Sequence, residues 1–409
     1  MKYINVVLGI LLLGLLAACS SDDSVLEPGA PSADTSIDYT DVEKEVAREM
    51  AHFDYSFFKS VCKEGDGNVV ISPLSMQMLL GMTALAVDEV SADEIVRGVG
   101  CADLKDLKSF HGKTLKRFAA VDKNVDVALA NAMWHSQTLS PDMAFSREFF
   151  ETYDGSIFPM DFDSPQSVES VNQWCREKTR GLIPNMIGSF PPNVDLVMAN
   201  ALYFSGKWIN PFDEKETSES IFHGSCGETS IKMMHCMGLQ NYWVGKDYEA
   251  VMIDMGNGDY TATFVLPDCD KDLNDLVDEL DYVSLMSCPR LARNVDLYLP
   301  KCKLQSDGKD VSHVLADLGI KRIFDGGYMT VFDLIYGGVQ FFQKSAVEFG
   351  EKGSEGASVS WSFWPSEGSG PDDSEIKVPV VEFNRPYLFF INERNTGMCV
   401  LCGRIENLD

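Results

Sequence analysis

The sequence predicts an α+β domain, and three observations carry that prediction. Helical periodicities gather in the first half, as in Val42–Cys62, where Val46, Met50, Phe53, Phe57, Phe58 and Val61 recur mostly at three- and four-residue spacing. Short apolar runs of strand length dominate the second half, among them Tyr260–Leu266, Val295–Leu299, Val339–Phe349 and Tyr387–Ile391. The patterning is continuous from Asp41 onward, with no internal repeat and no second linker before Gly353.

Met1–Cys19 stands outside that pattern. Lys2 supplies a short positive region, and Val6–Ala18 is an apolar stretch of 13 residues, too short to span a bilayer and of signal-peptide length. Leu16-Ala17-Ala18-Cys19 resembles a bacterial lipobox. That resemblance implies removal of residues 1–18 and lipidation of Cys19. Ser20-Ser21-Asp22-Asp23 resembles an acidic tag that directs some bacterial lipoproteins to the outer surface. Ser24–Thr40 is rich in Pro, Ser and Asp, lacks periodic apolar residues, and reads as a tether. The expected organisation is a signal peptide over 1–18, a tether over 19–39 and one domain over 40–409. The expected location is the bacterial outer membrane, facing the cell surface, with the lipid as the only membrane contact.

The elements follow in order. The helix over Val42–Cys62 leads into Asn68-Val69-Val70-Ile71-Ser72-Pro73-Leu74-Ser75. A short strand ends at Ser72, which suits a helix N-cap, and Pro73 suits the first helical position. Leu74–Ala86 is apolar almost all round, so this helix belongs in the core. Further helices are expected over Phe145–Tyr153, Ser167–Thr179 and Val311–Leu318, and further strands over Val125–Trp134, Val194–Phe204, Val378–Phe383 and Met398–Gly403. Val194–Phe204 carries no charge after Asp195, as a strand buried on both faces would. Asn200 in its middle must find hydrogen-bond partners, because an unsatisfied buried amide is costly.

Composition narrows the function. With 62 acidic and 34 basic residues the formal charge is −28, a field that repels nucleic acid and anionic membranes. Of eleven cysteines, Cys62, Cys175, Cys236 and Cys399 lie in apolar runs and read as buried thiols. Cys399 and Cys402 form one C-x-x-C with no second pair, short of the four ligands of structural zinc. No metal and no cofactor is expected. Catalytic motifs are missing as well. None of the six histidines forms the metalloprotease helix pair. Ser354 has Gly356 after it but Lys352 before it, so the nucleophile elbow fails. His135, inside an apolar run, reads as a core or rim residue rather than a base.

Several stretches together resemble the serpin family. They are Asn68–Ser75, Asn200–Trp208 (Asn-Ala-Leu-Tyr-Phe-Ser-Gly-Lys-Trp) with Pro211-Phe212, Leu318-Gly319-Ile320 with Phe324, Phe383-Asn384-Arg385-Pro386-Tyr387, and Gly403-Arg404. They occur in family order from about Tyr39 to the end. The resemblance implies three β-sheets, about nine helices and an exposed reactive-centre loop, here about 350–377. It implies a monomeric inhibitor, not an enzyme, whose partner is a serine or cysteine protease. The loop is attacked, forms an acyl-enzyme, and inserts as a new strand in the main sheet. The alternative is a non-inhibitory member on the cell surface that binds a ligand or partner.

The loop carries its own pattern. Ser354, Gly356, Ser358, Ser360 and Ser362 are all tiny and alternate with Glu355, Ala357, Val359, Trp361 and Phe363. In a strand the tiny set shares one face, where small side chains enter a packed sheet without overpacking it. Carried over residue by residue, the resemblance assigns Glu351, Gly353, Ser354, Glu355, Gly356, Ala357 and Ser358 to the loop hinge. Trp208 and Lys301 fall at the point of loop entry, with Lys301 the ion-pair partner of Glu351. Ser72, Ser75 and Asn200 belong to the polar cluster under the opening strands, where Gln343 stands in place of the histidine of many serpins. Gly356 stands where inhibitory members commonly have Ala, at some cost in backbone entropy. Counting from Glu351 places the reactive bond at Glu367-Gly368, with Trp364 and Phe363 as alternatives in a loop lengthened by Ser366–Ser374.

Overall fold

The structure is a computed structural model, and it describes residues 39–408 except 119–123, 191–192, 288–291, 307 and 354–377. The lipidation site Cys19 and the loop residues Ser354, Glu355, Gly356, Ala357, Ser358, Phe363, Trp364, Glu367 and Gly368 lie outside the described residues.

In chain order the elements begin with α1 (Asp41–Lys63), β1 (Val69–Ile71), α2 (Pro73–Ala86), α3 (Glu89–Gly98), α4 (Leu104–Phe118), β2 (Val125–Ser136), α5 (Met143–Tyr153), β3 (Ser156–Met160), α6 (Pro165–Lys178) and β4 (Leu196–Gly206). The chain then runs through β5 (Ser218–Gly224), β6 (Gly227–Val244), β7 (Tyr248–Met255), β8 (Tyr260–Pro267), α7 (Leu273–Glu279), α8 (Tyr282–Met286), β9 (Ala292–Gln305) and β10 (Lys309–Asp310). It closes with α9 (Ser312–Asp317), α10 (Arg322–Asp325), β11 (Gly327–Met329), β12 (Leu334–Tyr336), β13 (Phe342–Gln343), β14 (Ala346–Phe349), β15 (Val380–Glu382), β16 (Tyr387–Glu393) and β17 (Cys399–Ile405).

Two caps set the first helices. Thr40 accepts from the Glu43 amide while the Glu43 carboxylate reaches back to the Thr40 N–H, a capping box that starts α1. Ser72 accepts from the Ser75 N–H and Pro73 takes the first helical position of α2, as the sequence predicts. Leu74, Met76, Met78, Leu80 and Met82 are all buried, so α2 forms the axis of the core.

Three sheets surround that axis, because β6 and β9 each change partner part-way along. Residues 232–241 of β6 pair with β9, and 241–244 pair with β7. Residues 292–301 of β9 pair with β6, and 302–305 pair with β14. One sheet is therefore β5-β6-β9-β15, with β15 parallel to β9. A second is β1-β17-β16-β8-β7 with the end of β6. The third comes in two parts, β3-β2-β4 on one side and β14 against the end of β9 on the other.

Two expectations need revision in detail. Val339–Phe349 does not form one strand; only Phe342–Gln343 and Ala346–Phe349 are extended in ladders. Val194–Phe204 begins as a strand at Leu196 and alternates between half-buried and buried rather than burying both faces throughout. The first run breaks where its partner changes from β10 to β9, and among the described residues β4 pairs with β2 alone and β14 with β9 alone, so each presents an open edge.

Candidate functional site

The two facing edges enclose a cavity of about 1300 Å3. Its walls are β4, the segment from Val339 to Ala346, and α2 at the back, which contributes Met76, Leu79 and Thr83. The top is closed by backbone. Lys207, just after β4, pairs with Gly353 in an isolated antiparallel bridge, and Gly350 pairs with Gly353 across a tight turn. Trp208 donates its backbone N–H to Lys352 O at 3.2 Å and its indole N–H to Gly350 O at 2.9 Å. Its ring stacks against Phe349 at 6.3 Å.

An ion pair locks this rim. Lys301 Nζ lies 2.9 Å from Glu351 Oε2, and Thr217 donates to Oε1 at 3.1 Å. Burial works to raise the Glu351 carboxyl, but Lys301 and the hydrogen bonds around it hold it below the usual carboxylate range. Trp208, Lys301, Glu351 and Gly353 thus converge at the mouth of the slot.

Lower down, a polar layer crosses behind the slot in two unconnected halves. On one side Ser72 caps α2 and donates to Val400 O at 2.7 Å, while Gln343 Nε2 donates to Ser72 O at 2.6 Å. On the other side Asn200 donates to Asn131 Oδ1 at 2.7 Å, and Asn131 donates to Tyr153 O at 2.7 Å. Tyr153 OH in turn meets His111 Nδ1 at 3.2 Å. Burial drives the His111 imidazole down to about 3, so it is neutral. Ser72, Ser75 and Gln343 are therefore together, and Asn200 faces them from the opposite wall. Asn200 Oδ1 and Gln343 Oε1 both face the cavity and take no hydrogen bond from a protein group among the described residues.

Sequence reasoning missed Asn131 and Thr217. Asn131 had a signal: like Asn200, it interrupts an apolar strand, and the two are direct cross-strand partners. Thr217 had none, since only the fold brings it to Glu351. His135 lies at the rim of β2, 6% exposed, with its ring against Phe332. Among the described residues no group of three or more His, Cys, Asp or Glu side chains is arranged to hold a metal, and no helix is long and apolar enough to cross a membrane.

Residues 48–408 match the model of Serpin (serine protease inhibitor). The chain belongs to the serpin family. It is 26% identical to Serpin A3-6 of Bos taurus over 98% of this chain and 96% of that protein. It is 27% identical to Serpin A12 of Rattus norvegicus over 89% of each. Among solved structures, human glycosylated kallistatin superposes with a TM-score of 0.79 at 21% identity, covering 90% of this chain and 99% of that one. The thermophilic serpin tengpin in its native state gives 0.75 at 21% identity over 93% and 97%, and human thyroxine-binding globulin with thyroxine gives 0.78 at 21% over 90% and 99%. These likenesses establish the serpin fold, with ten helices among the described residues.

Proposed function

We propose that this serpin inhibits serine or cysteine proteases by trapping them as a covalent acyl complex, with the bait in the segment 354–377. One observation carries the reading: the slot and the sequence of that segment are in register. The bridges at the rim set the count. Seven residues on from Gly353 is Ser360; seven back from Lys207 is Asn200; seven back from Gly350 is Gln343. Extending both antiparallel bridges downward therefore sets Ser360 between Asn200 and Gln343, the two amides with an unmet acceptor. Cross-strand partners share a face. Asn200 shares its face with Asn131, and Met198 and Leu202 pack into the main core with Phe204. The same count turns Ser354, Gly356, Ser358, Ser360 and Ser362 all inward toward α2, and both edges agree on it.

The energetics follow. An inserted strand completes two ladders at about 0.5–1.5 kcal/mol net per hydrogen bond, on the order of 10 kcal/mol for a dozen residues. Each inserted residue carries an attached acyl-enzyme about 3.3 Å further down the sheet. If insertion outruns deacylation, the protease is pulled from its working geometry and its oxyanion hole is lost. In the same reading Glu351, Gly353 and residues 354–358 act as the hinge and Glu367-Gly368 is the reactive bond. Cys19 then tethers the domain to the outer membrane.

The test uses chymotrypsin and elastase for cleavage around Phe363 and Trp364, and a glutamyl endopeptidase for Glu367. The expected result is an adduct stable in boiling detergent with one of them and a nicked form that melts well above the intact one. Mass spectrometry of the released C-terminal fragment fixes the bond. Simple turnover without an adduct, and no gain in melting temperature, would point instead to the non-inhibitory alternative.

A further inference from the structure

Strand β17 holds two cysteines behind the slot, and a bulge brings them together. Cys399 pairs with Asn392 and Leu401 with Ile391, so Val400 is an extra residue without a partner on β16. Cys402 pairs with Phe390. Phe390 and Asn392 lie two residues apart and share a face of β16, and cross-strand partners share that face. Cys399 and Cys402 therefore point to the same side, where an unbroken strand would send them to opposite sides. On the facing strand they span two steps, about 6.7 Å, at the upper edge of the Cα separation that a disulfide bridges.

That side of the strand faces α1. Phe390 packs edge-on against Phe58 at 5.6 Å, and Asp54 Oδ2 accepts from the Cys399 N–H at 3.3 Å. The Cys399 and Cys402 side chains are hydrogen-bond neighbours, and both residues are 1% exposed. Burial, and then the adjacent Cys399 thiol, hold the Cys402 thiol well above its ordinary value. A protonated thiol is a poor nucleophile, so exchange at Cys402 requires β17 to open. The opposite side of the bulge belongs to the slot. Leu401 lines the cavity, and the Val400 carbonyl accepts from Ser72 Oγ at 2.7 Å. Ser72 in turn caps α2 and takes Gln343 Nε2 on its own carbonyl. The residue that anchors Ser72 thus lies between the two cysteines.

We infer that Cys399 and Cys402 are a dithiol–disulfide pair, and that their oxidation clamps the bulge that anchors Ser72. The reaction is exchange with a small-molecule or protein disulfide while β17 is open. One cysteine attacks as its thiolate, a mixed disulfide forms, and the first thiolate of the oxidant leaves. The second cysteine then attacks the sulfur of the first and expels the other. Two S–H bonds are lost from the chain and one S–S bond is gained. The oxidant is reduced to two thiols, which carry away the two protons. Once β17 closes, the bridge is sealed from solvent and holds the Val400 carbonyl toward Ser72. This site is independent of whether the chain traps a protease.

The test incubates the full chain with glutathione disulfide over a urea series reaching the unfolding midpoint. Urea is then removed, free thiols are blocked with iodoacetamide and the chain is digested with trypsin. Residues 395–404 form one tryptic peptide that holds both cysteines and no others. The expected result is that peptide unalkylated and lighter by two hydrogens, in the parent and in Cys62→Ala alike. Cys399→Ser is expected to carry glutathione on Cys402 instead. The oxidised parent is expected to melt about 2 °C above the reduced chain, and Ser72→Ala to lose most of that gap. Two alkylated or two glutathionylated cysteines in the parent peptide would overturn the pair. A bridge from Cys62 to either cysteine overturns it too, because the bulge would not be what matches the partners. A melting gap unchanged in Ser72→Ala keeps the disulfide and overturns the clamp.

Discussion

Lys207 and Gly353 meet across the top of the slot as a lone antiparallel bridge, and the contact leaves no room for a side chain. A Cβ at Gly353 would lie 2.1 Å from Gly206 O and 2.6 Å from Lys207 Cα, and the residue has a φ of +116°. Gly353→Ala must therefore open the rim or strain the backbone, at about 1–3 kcal/mol. In an inserted strand the same residue adopts extended backbone, which Ala accepts. Calorimetry is expected to show a lower melting temperature for the intact variant and little change for the nicked one. Equal losses in both forms would mean that Gly353 does not change conformation on cleavage.

The register at Ser360 makes a prediction about faces. Ser360 is set to point inward between Asn200 and Gln343, and Val359 outward. Ser360→Arg would bury an unpaired charge on insertion, so that variant is expected to be cleaved as an ordinary substrate with the adduct lost. Val359→Arg places the same charge in solvent and is expected to keep the adduct. The measurement is the number of inhibitor molecules consumed per protease trapped. Identical behaviour of the two variants would remove the register, whatever the fate of trapping itself.

These residues also show what the sequence could and could not reveal. The Ser72–Pro73 helix start was legible because capping is local chemistry, and α2 was legible because nothing polar interrupts it. Helix α4 was missed: its buried Leu107, Phe110, Thr114 and Phe118 are spaced among lysines that hide the periodicity. Strand β6 was missed because Gly227 and Gly238 and its change of sheet near Asn241 break any simple alternation. The slot itself was out of reach from residues alone. Val339–Phe349 reads as one continuous strand, but its partner changes from β10 at Phe342–Gln343 to β9 at Ala346–Phe349, which divides it into two short pieces. A site defined by an unfilled position between strands leaves its mark on the segment that would fill it, which is where the alternation of tiny residues was visible.

Arg404 is the clamp at the chain's end. It is 1% exposed, and its guanidinium donates to Cys62 O at 2.9 Å, Gly65 O at 2.6 Å, Gly67 O at 2.9 Å and Asn274 Oδ1 at 2.6 Å. Cys62 ends α1, Gly65 and Gly67 lie in the turn joining α1 to β1, Asn274 lies on α7, and Glu406 sits 3.1 Å away. Arg404→Met would leave the carbonyls and the buried Glu406 carboxylate unmatched. A loss of about 3–5 kcal/mol is expected from breaking a buried pair on one side, read as a lower urea midpoint. Adding Glu406→Gln is expected to recover part of it. A loss below about 1 kcal/mol would show that the turn is held by other contacts.

Asp54 gives the fold a pH dependence opposite to that of an ordinary carboxylate. It is fully buried between α1 and α2, where Gln77 donates to Oδ1 and the Cys399 N–H reaches Oδ2 at 3.3 Å. Burial pushes its carboxyl up to about 8, against the opposing pull of those two donors. The unfolded chain releases this proton near pH 4, so between about 4 and 8 the native state holds a proton that the unfolded state has lost. Stability from this group is therefore fully present below about pH 4 and declines as pH rises toward 8. Asp54→Asn removes the titration. Its Oδ1 can accept from Cys399 and its Nδ2 can donate to Gln77 Oε1, which has no partner now. Urea unfolding at pH 5 and pH 8 is expected to show the parent chain losing on the order of a few kcal/mol relative to the variant across that interval. Parallel losses in both proteins would assign the pH dependence to other groups and return Asp54 to an ionised, fully compensated carboxylate.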